Sequence, residues 1–248
     1  LHGFAEAPGV PTVMKALRES IELVVRQPVE LTGAGRTDAG VHGWGQVVSG
    51  DLPDGTDLDG LRRRVSRMLA PAIVVREAAW ASDDFNARFS AQWRHYRYDV
   101  LNTPVANPFL AATTWHVPQP LQLWAMNLGC DPLIGEHDFS SFCRRPKVAV
   151  TPGGEQPAPS MIRRVLRAGW TEVASDRGDP LLRFEIRANA FCHQMVRSIV
   201  GTLVDVGLGR RSAGEMRSIL LRHDRTAAGQ VAPPHGLCLW EVGYPASP

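Results

Sequence analysis

Lysine is almost missing: Lys15 and Lys147 stand alone among 27 basic residues, so arginine carries nearly all the positive charge. Arginine's planar guanidinium suits phosphate binding and stacking on bases better than lysine's point charge does. Long apolar runs are missing too. No stretch reaches the roughly 18 residues of a transmembrane helix, so no membrane partner is expected. The start, Leu1-His2-Gly3-Phe4-Ala5-Glu6, has neither a basic opening nor an apolar core, so no signal peptide is expected. It lacks an initiator methionine as well, which implies that the natural N-terminus lies upstream. Cysteine is scarce and scattered, at Cys130, Cys143, Cys192 and Cys238, with no Cys-x-x-Cys pair. Neither a zinc site nor a disulfide framework is therefore expected. Reduced thiols in the cytoplasm are the expectation.

What is present is an ordinary globular composition, 44% hydrophobic and 21% charged over 248 residues, enough for one or two domains. A net charge of +2 argues only weakly for a nucleic-acid partner. The arginines nevertheless cluster: Arg62-Arg63-Arg64, Arg94 with Arg97, Arg144-Arg145-Pro146-Lys147, and Arg163-Arg164 with Arg167. Charge runs are usually solvated faces. Several of them lining one cleft would make an RNA track.

Periodicity gives a coarse plan. Val13, Leu17, Ile21 and Val24 recur at helical spacing behind the N-cap candidate Thr12. Strands are predicted at Val29–Thr32 and Gln46–Ser49, a helix at Leu58–Leu69, and another strand beginning at Ile73. Trp93–Leu101 alternates, with Tyr96, Tyr98 and Val100 on one face. The order α-β-β-α-β lacks only a leading strand to make a split βαβ, ferredoxin-like unit. The second half repeats the order: strand Phe109–Val117, helix Leu121–Leu128, paired strands Ile162–Val173 and Leu181–Ala188, a strong helix over Phe191–Val206, a capping box at Ser212–Glu215, and a last strand Leu237–Val242. The Pro- and Gly-rich stretch Val148–Pro159 is predicted to be a mobile excursion. The fold class expected is α+β, with units at 1–104 and 105–248.

Between the first two strands lies Gly33-Ala-Gly-Arg-Thr-Asp-Ala-Gly-Val-His-Gly-Trp-Gly-Gln46, with five glycines around a lone carboxylate, Asp38. A hairpin needs only about two to five loop residues. Long ordered loops on a scaffold are where binding and chemistry concentrate. By itself a lone aspartate in such a loop is usually an Asx-turn residue. That reading leaves the company of Arg36, His42 and Gln46 unexplained. His137-Asp138 with His42 has no metal-ligand spacing, so no metal is expected.

Gly-Arg-Thr-Asp-Ala-Gly-Val-His resembles the catalytic loop of the tRNA pseudouridine synthase A family. Phe85–Ala91 followed by Arg94-His95-Tyr96-Arg97-Tyr98, Gly135–Phe142, Asn189–Gly201 and the tail Ala232–Tyr244 are similar to its further blocks, in the same order. The family's first strand, with its Asp-Gly-Thr turn, is not present. The resemblance implies a pseudouridine synthase fold, two ferredoxin-like (RRM-like) units with mainly antiparallel sheets facing a central cleft. It implies isomerisation of uridine in the anticodon stem-loop of tRNA by one catalytic aspartate, Asp38, acting as nucleophile or base. It implies that Arg197 partners that aspartate and keeps it ionised, that Tyr96 stacks on the target base, and that the enzyme is a homodimer. Arg36 and Arg88 are assigned to phosphates or to the flipped nucleotide, and Tyr98 to packing. The reaction is redox-neutral, so no cofactor is expected. Two other classes stand beside this one: a non-catalytic RNA-binding module of two RRM-like units, which lacks the RNP-type motif here, and a carboxylate hydrolase, which wants a second acid or a metal.

Overall fold

The computed structural model describes residues 1–145, 150–151, 154–155 and 159–245. The chain forms two compact units, residues 1–92 with 242–248, and residues 93–241. The expected boundary at 104 falls after the strand Trp93–Leu101, whereas the units divide before it. That strand takes its long partner from the second half, so it belongs with that half.

In the first unit, α1 (Val13–Val25) starts at Thr12, whose hydroxyl accepts from the Lys15 amide, and ends at Arg26 in the left-handed region. Then come the short strands β1 (Leu31–Gly33), β2 (His42–Gly43) and β3 (Val48–Gly50), and α2 (Leu58–Leu69), capped by Asp57. β1 and β3 pair antiparallel, with Leu31 opposite Gly50 and Gly33 opposite Val48. The two helices press Leu17, Leu61 and Val65 together, with half-buried Ile21, Leu31 and Val48 around them. No strand forms at Ile73–Val75. The amide and carbonyl of Val75 both bond to the Ser66 hydroxyl, at 3.0 and 3.2 Å, so one side chain does what a ladder would have done.

The second unit is built on β4 (Trp93–Leu101), which pairs in parallel with the two-residue β5 (Trp115–His116). The strand expected over Phe109–Val117 is largely absent. The Asn107 side chain accepts from the Phe109 amide and the Leu110 carbonyl accepts from Thr114, which curls the segment into turns. α3 (Leu123–Leu128) and β6 (Gly135–Asp138) follow, then the paired β7 (Val150–Thr151) and β8 (Gly154–Glu155). Residues 148–149, 152–153 and 156–158 of the stretch predicted to be mobile lie outside the described residues. β9 (Ile162–Ala174) and β10 (Pro180–Ala188) form the long antiparallel pair that the alternation predicted, and α4 (Met195–Gly207) is the strong helix. α5 (Glu215–Arg222) has Gly214 as its N-cap, and of the box predicted at Ser212–Glu215 one half forms, the Ser212 amide donating to the Glu215 carboxylate at 2.6 Å. β11 (Leu237–Gly243) closes the fold and runs into the residues that return to the first unit. The sheet order within this unit is β11-β4-β10-β9-β6. Tyr98, Phe184, Ile186, Met195, Ile199 and Leu203 are all fully buried, so the core sits between the sheet and α4.

The cysteines depart from expectation. Cys143 and Cys192 are disulfide-bonded, with Cα atoms 5.7 Å apart. They are 49 residues apart in sequence, and the Arg144 amide donates to the His193 carbonyl beside them. Spacing along the chain carries no trace of this. Cys130 stays a thiol, and burial pushes it up to about 12.

Candidate active site

Asp38 sits at the turn of the glycine-rich loop, half-buried. Its carbonyl accepts from the Val41 amide, which closes a turn through Gly40 at φ 83°, a conformation suited to glycine. The neighbouring Thr37 carbonyl accepts from the Phe4 amide at 3.0 Å, and Gly3 lies so close that an added Cβ would stand 3.2 Å from the same oxygen. Across the loop's base, the Ala34 amide donates to Val47, and Gln46 donates to the Gly35 carbonyl at 2.9 Å while accepting from the Val47 amide. Gln46 therefore bridges the two ends of the loop. The base of the loop is thus held by the Ala34–Val47 backbone bond and by the Gln46 side chain.

Arg36 is exposed two residues before Asp38. Arg88, also exposed, lies over the ring of Phe89 with 5.2 Å from its guanidinium carbon to the ring centre. It sits in a turn built by Asn86, whose side chain accepts from the amides of Arg88 and Phe89. That turn is anchored at Ala87, which donates to the Ser49 hydroxyl and accepts from the Tyr244 hydroxyl at 2.7 Å. Both the Asp38 loop and the Arg88 turn thus hang from the β3 segment, one at Val47 and the other at Ser49.

In the second unit Tyr96 is 7% exposed and meets Phe191 edge-on, with ring centres 5.0 Å apart. The helical stripe predicts Phe191 on the strong helix. Phe191 lies in the turn before α4, and its contact with Tyr96 was not legible from spacing. Arg197 is half-buried on the first turns of α4, off the apolar stripe as expected. Its Nε donates to the Ala232 carbonyl at 2.7 Å. Asp38, Arg36 and Arg88 belong to the first unit, and Tyr96 and Arg197 to the second. Within the first, Trp44 is largely exposed and carries the Arg76 guanidinium 4.2 Å above its ring, a pair 32 residues apart that no local spacing signals. A cavity of about 280 Å³ lined by Val24, Asp57, Leu61 and Arg64 touches none of the five candidates. Among the described residues, no cluster of three or more His, Cys, Asp or Glu converges as a metal site would require, and no helix is long and apolar enough to cross a membrane.

Comparison with known proteins bears on the same residues. A family model described as tRNA pseudouridine synthase matches residues 130–245. A tRNA pseudouridine synthase A of Methylacidiphilum infernorum is 36% identical over 244 residues, covering 98% of this chain and 91% of its own. One of Frankia casuarinae is 40% identical, covering 99% and 85%, and one of Brevibacillus brevis is 37% identical, covering 98% and 93%. These alignments run over both units, so the Asp38 loop and the Arg197 helix both lie inside them.

Proposed function

Because the chain belongs to the tRNA pseudouridine synthase A family, we propose that it isomerises uridine to pseudouridine in tRNA, with Asp38 as its catalytic carboxylate. The reaction breaks the N1–C1′ glycosidic bond, turns the uracil and joins its C5 to the same C1′. The proton leaves C5 and N1 ends protonated, so atoms and electrons balance within the substrate. One ionised carboxylate is enough to start this, as nucleophile at the ribose or as base. The observation that carries the reading is the loop itself: a single carboxylate at a turn whose carbonyls and amides are tied on both sides.

The finer roles follow from the same reading. Arg197 partners Asp38 in the working enzyme and favours its ionised form. Tyr96 stacks on the target base, while Arg36 and Arg88 hold phosphates or the flipped nucleotide, which must leave its stack before chemistry reaches it. The substrate region is the anticodon stem-loop, recognised by shape and phosphate contacts. The working form is a cytoplasmic homodimer. The test is incubation with an unmodified tRNA transcript followed by chemical mapping of pseudouridine. The natural chain gives product, and Asp38→Ala gives none while still binding tRNA. Product from Asp38→Ala would overturn the assignment of the carboxylate. No product from the natural chain on any tRNA would overturn the enzyme and leave the RNA-binding module.

A further inference from the structure

Tyr98 lies in the middle of β4 with no exposed surface, and its ring meets Trp115 edge-on at 6.4 Å. A phenylalanine would fill that space equally well. A buried hydroxyl is costly unless it is bonded, and this one donates to the Pro233 carbonyl at 2.8 Å. The preceding carbonyl, that of Ala232, accepts from Arg197 Nε at 2.7 Å, and the Ala232 amide donates to the Arg197 carbonyl at 3.0 Å. Two consecutive carbonyls are therefore held by a phenol from β4 and a guanidinium from α4. The 230–236 segment fits closely on both sides. A Cβ on Gly236 would stand 2.6 to 2.9 Å from the Tyr98 ring and hydroxyl, and one on Gly201, a turn beyond Arg197, would strike the Gln230 carbonyl. Burial pushes the phenol's pKa up, and the Arg197 charge works against part of that rise, which puts the two groups within electrostatic reach of each other. The phenol thus remains a donor.

We propose that Tyr98 is a positioning residue for Arg197, acting through the Ala232–Pro233 segment. The proposal rests on the role given to Arg197 above. Once Nε is committed to the Ala232 carbonyl, the plane of the guanidinium follows the position of that oxygen, because the fork is rigid. The terminal nitrogens are then aimed by the Ala232 carbonyl, and the Tyr98 hydroxyl holds the next carbonyl along. Without the hydroxyl, the segment keeps Arg197 as its partner but loses the bond that ties its Pro233 carbonyl to β4.

The experiment compares the natural chain, Tyr98→Phe and Ala232→Gly on an unmodified tRNA transcript across a pH series. Misplacing a catalytic partner by about an ångström can cost about 100-fold, so a partial loosening should lower kcat by about tenfold or more with KM nearly unchanged. The acid limb of the kcat profile should move to higher pH, because a displaced guanidinium favours the carboxylate less. A ring that only packs would leave that limb in place. Ala232→Gly loosens the same segment with the phenol intact and should act in the same direction. If Tyr98→Phe does not fold, Ala232→Gly decides alone. Natural kcat and an unmoved acid limb in every folded variant would overturn the positioning role. Failure of the natural chain to turn over would instead defeat the synthase reading, so the two outcomes are distinct.

Discussion

The two units hold their candidate residues by different physics. In the first, Asp38 rides a loop whose order comes from backbone bonds across its base and from glycines that allow close approach, above a small core of Leu17, Leu61 and Val65. In the second, Arg197 sits on a helix packed against a wide sheet, with Met195, Ile199 and Leu203 fully buried. A carboxylate that must meet a substrate benefits from a loop that reaches out of its scaffold. A guanidinium that must keep one orientation benefits from a close-packed interior. Substitutions in the first unit should therefore cost activity out of proportion to stability, and core substitutions in the second should do the reverse.

The sharpest break of this contrast pairs Asp38→Ala with Phe184→Ala. Asp38→Ala should remove all measurable turnover, assayed as pseudouridine in tRNA, with a melting temperature close to that of the natural chain. Phe184 is fully buried and its ring lies 5.2 Å from that of Trp170. Phe184→Ala should cost about 3–5 kcal/mol in denaturant unfolding. Equal stability losses for the two variants would dissolve the contrast.

Next in size is Gly201→Ala. An added Cβ meets the backbone of Gln230, which cannot rotate aside, so α4 or the 230–232 segment must shift. Overpacking of this kind costs about 1–3 kcal/mol. Because the segment also carries the Arg197 bond, kcat should fall with it; unchanged kinetics and stability would contradict the close approach.

Gln46→Ala comes third. It removes the side chain that spans the loop base, a loss of about 1 kcal/mol in stability, and should lower kcat by more than that figure alone implies. Wild-type turnover would show that the Ala34–Val47 bond suffices to order the loop.

The smallest effects are on pH. Glu22 is held below its ordinary 4.5 by the Val29 amide and then by Arg18. Its contribution is therefore present above about pH 5 and lost as pH falls through the lowered value. His95 is held below its ordinary 6.5 first by burial, against the pull of Glu185. It must charge on unfolding, so its contribution is present above 6.5 and lost as pH falls below that. Thermal melts from pH 8 to 5 should decline less for His95→Gln than for the natural chain. Parallel declines would remove His95 from the account.

Much of this was legible beforehand because it is local. Thr12 caps α1, Glu215 accepts from the Ser212 amide ahead of α5, and Tyr96, Tyr98 and Val100 alternate into the interior, each by a rule that reaches a few residues along the chain. Phe109–Val117 and Ile73–Val75 were misread because the competing bonds come from side chains, Asn107 and Ser66, that a strand pattern ignores.

By itself, then, the sequence determined the α+β class, the glycine-rich loop around one carboxylate and the family to which the chain belongs, since each is written in contiguous residues. Only the tertiary structure decided that Cys143 meets Cys192, that Phe191 faces Tyr96, and that the Tyr98 hydroxyl and Arg197 grip neighbouring carbonyls. Those pairings join residues 35 to 135 positions apart. No periodicity extends so far; hydrogen-bond geometry and close packing choose such partners once the sheet and α4 have formed.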